Sequence, residues 1–404
     1  MHKLILIAFL SIASFHCISQ PINLEAYWQD RLKFRSTGDR KFEFAAGGRI
    51  HFDAAIARQS KALDTLAEPI DPTMRIRRAR VTFSGSYDNA IEYEIEFTFS
   101  EGIRMGDVYV SFLKIPHIER LTVGHFREPV GMEENYSSNS ILFMERSLTS
   151  AFAPGRNVGI MLQRKLGEKA RIYSGVYRRT NSSGEDEDED VRFSVASRLA
   201  FNPLYNKEKN QALHIGISNS VYTPTANVYS VQTDNETHTG ATYIRSGEIK
   251  DVNKIVQLAG ELGYSFKRFN FQSEFLRTYT ILGSPTDSLG DPRKTAFNTY
   301  YAYASYFLKG GRRQYDRASN YFDDIALDEK QNGSSMRGAW EVGVRYAYID
   351  LTESVSVLER MSDLTVGLNY YLNSNSRLML NMVVSRIERR FNATSLQGRV
   401  QFTF

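Results

Sequence analysis

Eight arginines stand out by their company. Arg78 and Arg80 alternate within one stretch of apolar and polar residues, Arg127 and Arg156 flank residues 128–155, and Arg146 lies inside that segment. Arg312, Arg313 and Arg317 crowd a second segment, residues 309–337. A guanidinium is permanently charged and presents a planar fork of donors that matches phosphate and carboxylate oxygens. The chemistry on offer is attraction of anions by fixed charge. Each group also has a structural alternative. Arg78 and Arg80 can pair with Glu96 and Glu94 of the next stretch. Arg127 and Arg156 can anchor backbone carbonyls, and Arg146 can bond carboxylates or loop carbonyls. Asp316, Asp323 and Asp324 lie close enough in sequence to neutralise the third group.

Other chemistries find little support. His51, His117, His125, His214 and His238 show no metal-ligand spacing. There is no serine elbow or phosphate loop. The one cysteine, Cys17, leaves no disulfide framework and no cysteine-based zinc site. We expect no catalytic residue, metal or cofactor. A net charge of +4 is too mild for a nucleic-acid partner.

The elements that must carry these arginines are strands. Period-two alternation dominates from Phe42 onward. Ile91, Tyr93, Ile95, Phe97 and Phe99 share one face, and Glu92, Glu94, Glu96 and Thr98 the other. Ala79, Val81 and Phe83 oppose Arg78, Arg80 and Thr82 in the same way. Pairing Phe83 with Ile91 sets Arg80 against Glu94 and Arg78 against Glu96, a mildly stabilising arrangement. About sixteen such segments follow, near residues 42–53, 75–83, 91–99, 107–115, 120–127, 156–165, 171–179, 191–201, 211–223, 253–266, 268–280, 297–308, 338–349, 361–372, 377–388 and 395–404. Their lengths suit tilted transmembrane strands. Tyrosines and phenylalanines gather at strand ends, as interfacial girdles do. A mean hydropathy of −0.38 fits strands with one wet face. The fold class expected is all-β: a transmembrane antiparallel β-barrel of about sixteen strands with inward-folded loops. A soluble sandwich or propeller also alternates, but no blade-length repeat is visible.

Lys3, the apolar run from Leu4 to Phe15 and the small residues before Gln20 read as a secretory signal over residues 1–19. Residues 20–41 read as a periplasmic segment, either a short helix or a tether, and residues 42–404 as the barrel. With both ends in the periplasm, turns alternate short inside and long outside. Residues 54–74, 128–155, 180–190, 224–252 and 281–296 then fall outside. Residues 128–155 are too apolar for a solvated loop, with Ile141, Leu142, Phe143, Met144, Leu148 and Phe152, so they are expected to fold into the lumen. Residues 309–337 are too long for a periplasmic turn, which marks either a miscounted strand or a second inward insert. The acidic run from Glu185 to Asp190 reads as a solvated tip.

Three groups of residues carry a family resemblance. They are Val123-Gly124-His125-Phe126-Arg127-Glu128-Pro129, then Phe143-Met144-Glu145-Arg146-Ser147, then Ala151-Phe152-Ala153-Pro154-Gly155-Arg156-Asn157-Val158-Gly159. Arg77-Arg78-Ala79-Arg80, the stretch from Phe307 to Asp316, and Trp340-Glu341 with Arg345-Tyr346 and Asp350-Leu351 add to it. Together they resemble the phosphate-selective porin O/P family from about Ala46 to Phe404. The terminal strand ending in Phe404 is similar to the assembly signal of outer-membrane barrels. The resemblance implies a sixteen-stranded barrel in the bacterial outer membrane, usually a homotrimer, with inserts narrowing a channel for small anions such as phosphate. Its partners would be those solutes and outer-membrane lipid. The chain differs in having Gly311 where the family often has Glu, and residues 224–252 offer only Arg245 and Lys250 as basic residues. A plugged structural barrel and a barrel enzyme using His51 or His125 are the other readings.

Overall fold

The computed structural model describes residues 24–29, 31–37, 41–67, 70–100, 102–181, 183–185, 192–238, 242–286, 292–328, 338–352 and 358–404. The signal segment 1–19 and acidic residues 186–190 lie outside these. The strands, in chain order, are β1 (Leu24–Gln29), β2 (Arg31–Ser36), β3 (Phe42–Gln59), β4 (Thr73–Tyr87), β5 (Ile91–Thr98), β6 (Arg104–Phe112), β7 (Arg120–Arg127), β8 (Arg156–Leu166), β9 (Ala170–Arg178), β10 (Phe193–Asn206) and β11 (Gln211–Tyr222). There follow β12 (Gln232–Asp234), β13 (Thr242–Arg245), β14 (Val252–Phe266), β15 (Phe269–Thr286), β16 (Pro292–Lys309), β17 (Gly311–Asp316), β18 (Tyr321–Leu327), β19 (Ala339–Asp350), β20 (Arg360–Tyr371), β21 (Ser376–Ile387) and β22 (Phe391–Thr403).

Sixteen of these form a closed antiparallel barrel, and all sixteen alternating segments read from the sequence are in it. The ring closes where β22 pairs with β3, from Ala393↔Gln59 to Thr403↔Arg49. Closure removes every free edge along the shared length, which a lipid-embedded sheet requires. The alternation is inverted relative to a soluble protein. Ile160, Ile217, Val366 and Val400 point outward and are 52–61% exposed, while Arg198, Glu341, Arg345 and Asp363 point inward and are buried. An arginine on the lipid face would cost about 2–4 kcal/mol at mid-membrane, so this parity is strongly fixed.

Three inserts fill much of the lumen. Residues 128–155 enter from the long-loop end with a single turn of 3-10 helix, Leu148–Phe152. Their Leu142, Phe143, Leu148 and Phe152 pack against the inward Phe297, Tyr301 and Tyr303 of β16 and Ile349 of β19. Two glycines make room for them. A Cβ on Gly343 would stand 2.7 Å from Leu142, and one on Gly367 would stand 3.0 Å from the Phe143 ring. The β17–β18 hairpin enters from the short-turn end, and its Tyr315 and Phe322 close a second apolar cluster with Met132, Tyr136 and Ile141 of the first insert. The described part of the long stretch after β16, residues 311–328, is therefore an inward insert, with no strand miscounted.

Three expectations need correction. Residues 224–252 were expected to stay outside, but the described parts, 224–238 and 242–252, fold inward as a third insert: Asn235 donates to Ser385 at 2.9 Å, and the Glu236 amide donates to Asp363 at 2.7 Å across the lumen. The N-terminal segment is neither helix nor tether but the β1–β2 hairpin, paired onto β3 from Leu32↔Ala46 to Arg35↔Glu43. The β4–β5 register is four residues away from the one read, with Phe83 opposite Ile95 and Ser84 opposite Glu94. The turn is tighter than expected because Asp88 and Asn89 both take positive φ, 51° and 48°. Those two residue types tolerate that region best after glycine. A shift of four preserves facing, so the arginines stay inside but change partners.

Candidate functional site

The inserts leave one side of the lumen open, against the β3–β8 wall. A cavity of about 690 Å³ lies there, lined by Arg49, Arg80, Thr82, Glu94, Glu96, Asp107, Arg127, Asn135, Arg156 and Phe404 among others. A second, of about 450 Å³, lies toward the long loops and is lined by Arg77, Arg78, Glu134, Glu145, Arg146 and residues 232–238. Glu134 stands between them, held 3.3 Å from Arg127 on one side and 3.3 Å from Arg146 on the other.

A bulge puts two consecutive arginines into the upper cavity. The β3–β4 ladder pairs His51 with Arg78 and then Phe52 with Ile76, skipping Arg77. Strict alternation would send either Arg77 or Arg78 into lipid. The extra residue resets parity, as bulges do, so Ile76 faces out at 50% exposure while both arginines reach Glu145. Glu145 also receives Arg399 at 2.8 Å. Burial acts to raise the Glu145 carboxyl, but Arg78, Arg77 and Arg399 outweigh it and hold it well below the usual carboxylate range. Glu134 is likewise held low, by Arg146 and Arg127 against its burial.

In the lower cavity Glu96 is shared. Arg49 meets it at 2.5 Å, Arg80 at 2.7 Å and Arg156 at 3.9 Å. Arg156 also forms a two-point fork with Asp107 at 2.8 and 3.1 Å. Basic side chains lining this cavity number six and acidic ones four. Arg80 meets Glu96 and not the expected Glu94, and Arg78 meets Glu145 and not Glu96.

A porin family model, phosphate-selective porin O and P, matches residues 44–404. The chain belongs to this family. It is a bacterial outer-membrane porin. Among solved structures it is similar to the outer membrane channel DcaP of Acinetobacter baumannii, at 9% identity and a TM-score of 0.53 over 92% of this chain and 99% of that one. It is similar to the trimer form of OmpT of Vibrio cholerae, at 8% identity and 0.53 over 90% and 99%. It is also similar to an anion-selective porin from Comamonas acidovorans, at 10% identity and 0.52 over 90% and 100%. At these identities the likeness is one of fold. Among curated proteins none matches at a significant level.

The other side of this porin is sealed, and there arginines do different work. A strandless insert has backbone carbonyls that need donors once buried. The β17–β18 hairpin and the wall supply them in sequence. Arg313 donates to Ser140 O at 2.6 Å, Arg377 to Ile141 O at 3.0 Å, Asn369 to Leu142 O at 2.9 Å, Arg399 to Met144 O at 2.6 Å and Arg345 to Glu145 O at 3.0 Å. Wall carboxylates cap the insert's amides in turn: Glu274 accepts from Met132 and Glu133 at 2.7 and 2.6 Å.

The structure thus gathers Arg78, Arg80, Arg127, Arg146 and Arg156 on the open side. Arg146 spends its donors on the carbonyls of Glu133, Glu134 and Tyr136, folding the insert onto itself. Arg312, Arg313 and Arg317 go elsewhere. Arg313 is buried in a fork with Glu341 at 2.7 and 3.0 Å. Arg312 pairs with Asp328 at 3.2 Å, and Arg317 reaches the β8–β9 turn at Glu168. None of the three lines either cavity of the open side. Arg49 and Arg77 were missed. Parity with His51 and Asp53 would have found Arg49, whereas nothing in the sequence announces the bulge that turns Arg77 inward. His51 contacts Asn139 at 3.2 Å, and His125 Nδ1 lies 2.8 Å from Gly106 O, both as wall residues. Among the described residues no group of three or more His, Cys, Asp or Glu could hold a metal ion.

Proposed function

We propose that this porin passes small anions, phosphate among them, by passive diffusion along the β3–β8 wall. The observation that carries this is the column of guanidiniums from Arg77 and Arg78 through Arg146 and Arg127 to Arg156, Arg80 and Arg49, on the side the inserts leave open. Family membership and the likeness to a porin named as anion-selective support it. A unit charge at 4 Å is worth about 4 kcal/mol at an effective dielectric of 20. Unopposed, such a column would trap a divalent anion. Glu134, Glu96 and Asp107 lower the field enough for the ion to leave, as conduction requires. On this reading the protein is a channel and not an enzyme, with residues 1–19 the export signal, the β1–β2 hairpin at the periplasmic mouth and the barrel from residue 42. The trimer form of one structural relative makes a homotrimer the assembly we expect.

Planar-bilayer recording tests the reading. In a KCl gradient the reversal potential should take the sign of chloride preference, and added phosphate should reduce the chloride current. A potassium-preferring or zero reversal potential would overturn the anion assignment.

A further inference from the structure

The β1–β2 hairpin lies outside the sixteen-strand ring yet shares its sheet. β3 is longer than its partner at the seam. β22 covers it only as far as Arg49, and Phe404 ends the ladder with a reciprocal backbone pair to Gly48 at 2.7 and 3.1 Å. Below that point β2 takes the place of β22, from Ala46 to Glu43. Gly47 makes the handover feasible. A Cβ there would stand 2.6 Å from the Phe404 carbonyl oxygen and 3.3 Å from the Arg31 side chain.

The hairpin also carries the barrel's own inside-outside code. Its register sets Trp28 opposite Leu32 and Ala26 opposite Phe34 on the outer face. Phe34 is 6.0 Å from Phe44, which is 6.1 Å from Phe83, so the outer aromatic row runs unbroken from hairpin to barrel. On the inner face Gln29 stands opposite Arg31, and Tyr27 opposite Lys33. Arg31 donates to Ser84 at 3.2 Å, on the inward side of β4. Lys33 is loosely tied, 3.6 Å from Glu43 and 3.3 Å from Gln29.

Gln29, Arg31 and Lys33 line the same 690 Å³ cavity as Arg49 and Arg80. Remove Arg31 and Lys33 from the six basic residues there and four remain, matched by Glu94, Glu96, Asp107 and Asp323. Counted by side chains alone, the barrel wall and inserts give this cavity no positive surplus. The positive surplus comes entirely from the hairpin.

We propose that the N-terminal hairpin is the exit ring of the conduction path, and that Arg31 and Lys33 set its charge preference at the periplasmic mouth. The inference rests on the reading of the open side as the path. Mouth charges act through the field around them, which 0.1 M salt screens over about 10 Å and 1 M over about 3 Å.

The test uses the full chain in planar bilayers. Arg31→Gln with Lys33→Gln should lower the chloride-to-potassium permeability ratio about threefold in 0.1 M KCl, through loss of the focusing field. The loss should nearly vanish in 1 M KCl. Arg31→Lys with wild-type Lys33 should keep the ratio. Arg35→Gln, at a 57%-exposed position paired with Glu25 and away from the cavity, should leave it unchanged. If the double variant yields no channels, Lys33→Gln alone is read, because among the described residues Lys33 makes only the loose contacts named above. An anion-selective wild type with an unaltered ratio in the glutamine variants overturns the exit ring and leaves the porin reading intact. A wild type without anion preference overturns the anion reading on which the exit ring rests and leaves the porin fold untouched.

Discussion

Arg80 and Arg345 occupy inward positions on two strands of one barrel, and they face different surroundings. Arg80 borders an open cavity and shares Glu96 with Arg49. Arg345 is fully buried between Glu133 and Glu236 and caps the Glu145 carbonyl. Wall parity is the same for both. What separates them is the insert, which covers one half of the lumen and leaves the other wet. On the reading proposed above, an inward wall arginine meets solute only where the lumen beside it is left open. On the sealed side the guanidiniums are the hydrogen-bond partners that let an apolar, strandless segment lie inside a barrel without orphaned backbone.

The largest expected effect tests the sealed side. Arg345→Ala strands the buried Glu133 carboxylate and removes the donors to Glu236 and the Glu145 carbonyl, and breaking a buried pair in this way costs about 3–5 kcal/mol. Unfolding in detergent should shift by that much, while channels that still form should keep their anion preference. A changed preference with unchanged stability would reverse the roles of the two sides. Next comes the open side. Arg127→Glu with Arg156→Glu should change the permeability ratio by about tenfold or more, since four units of charge are moved within a low-dielectric lumen. Unaltered selectivity would remove that wall from the path.

A smaller effect concerns Glu236, at the tip of the third insert. One guanidinium cannot compensate both Glu133 and Glu236, and burial raises the Glu236 carboxyl to about 8 despite Arg345. A raised carboxyl stabilises the docked insert fully below the ordinary carboxylate range. That stabilisation fades as pH rises through 8. The unfolding midpoint should therefore fall between about pH 5 and 8, and Glu236→Gln should flatten that slope at a cost of about 1 kcal/mol or less. A steep loss of stability in Glu236→Gln at pH 6 would show the group to be ionised there. The smallest effect is Arg312→Ala. Its pair with Asp328 is 39–43% exposed, so about 0–1 kcal/mol is expected, with no change in selectivity.

Much of the barrel was legible because lipid outside and water inside impose a strict period of two. The insert at 128–155 was legible as well, because Leu142 and Phe143 are too apolar for a solvated loop. The third insert was not. Asn235 and Glu236 are polar, and nothing in their sequence says that Ser385, Asp363 and Arg345 wait on the far wall. The division of labour among the arginines was also invisible, for a specific reason. Arg313 and Arg80 sit in equally basic stretches, and only the distant Ser140 carbonyl and Glu341 separate them. The hairpin went unread because its strands, Leu24–Gln29 and Arg31–Ser36, are too short for alternation to rise above noise.

Two threonines allow the most direct test of the open-side account. Thr82 lines the lower cavity, and Thr365 is fully buried on the sealed side. Each is changed to cysteine, the only one in the chain beyond the export signal, and exposed, in a planar bilayer, to a negatively charged methanethiosulfonate reagent. The account predicts a stepwise fall in chloride current for Thr82→Cys and no change for Thr365→Cys. Block at Thr365→Cys, or an unaffected current at Thr82→Cys, would contradict it.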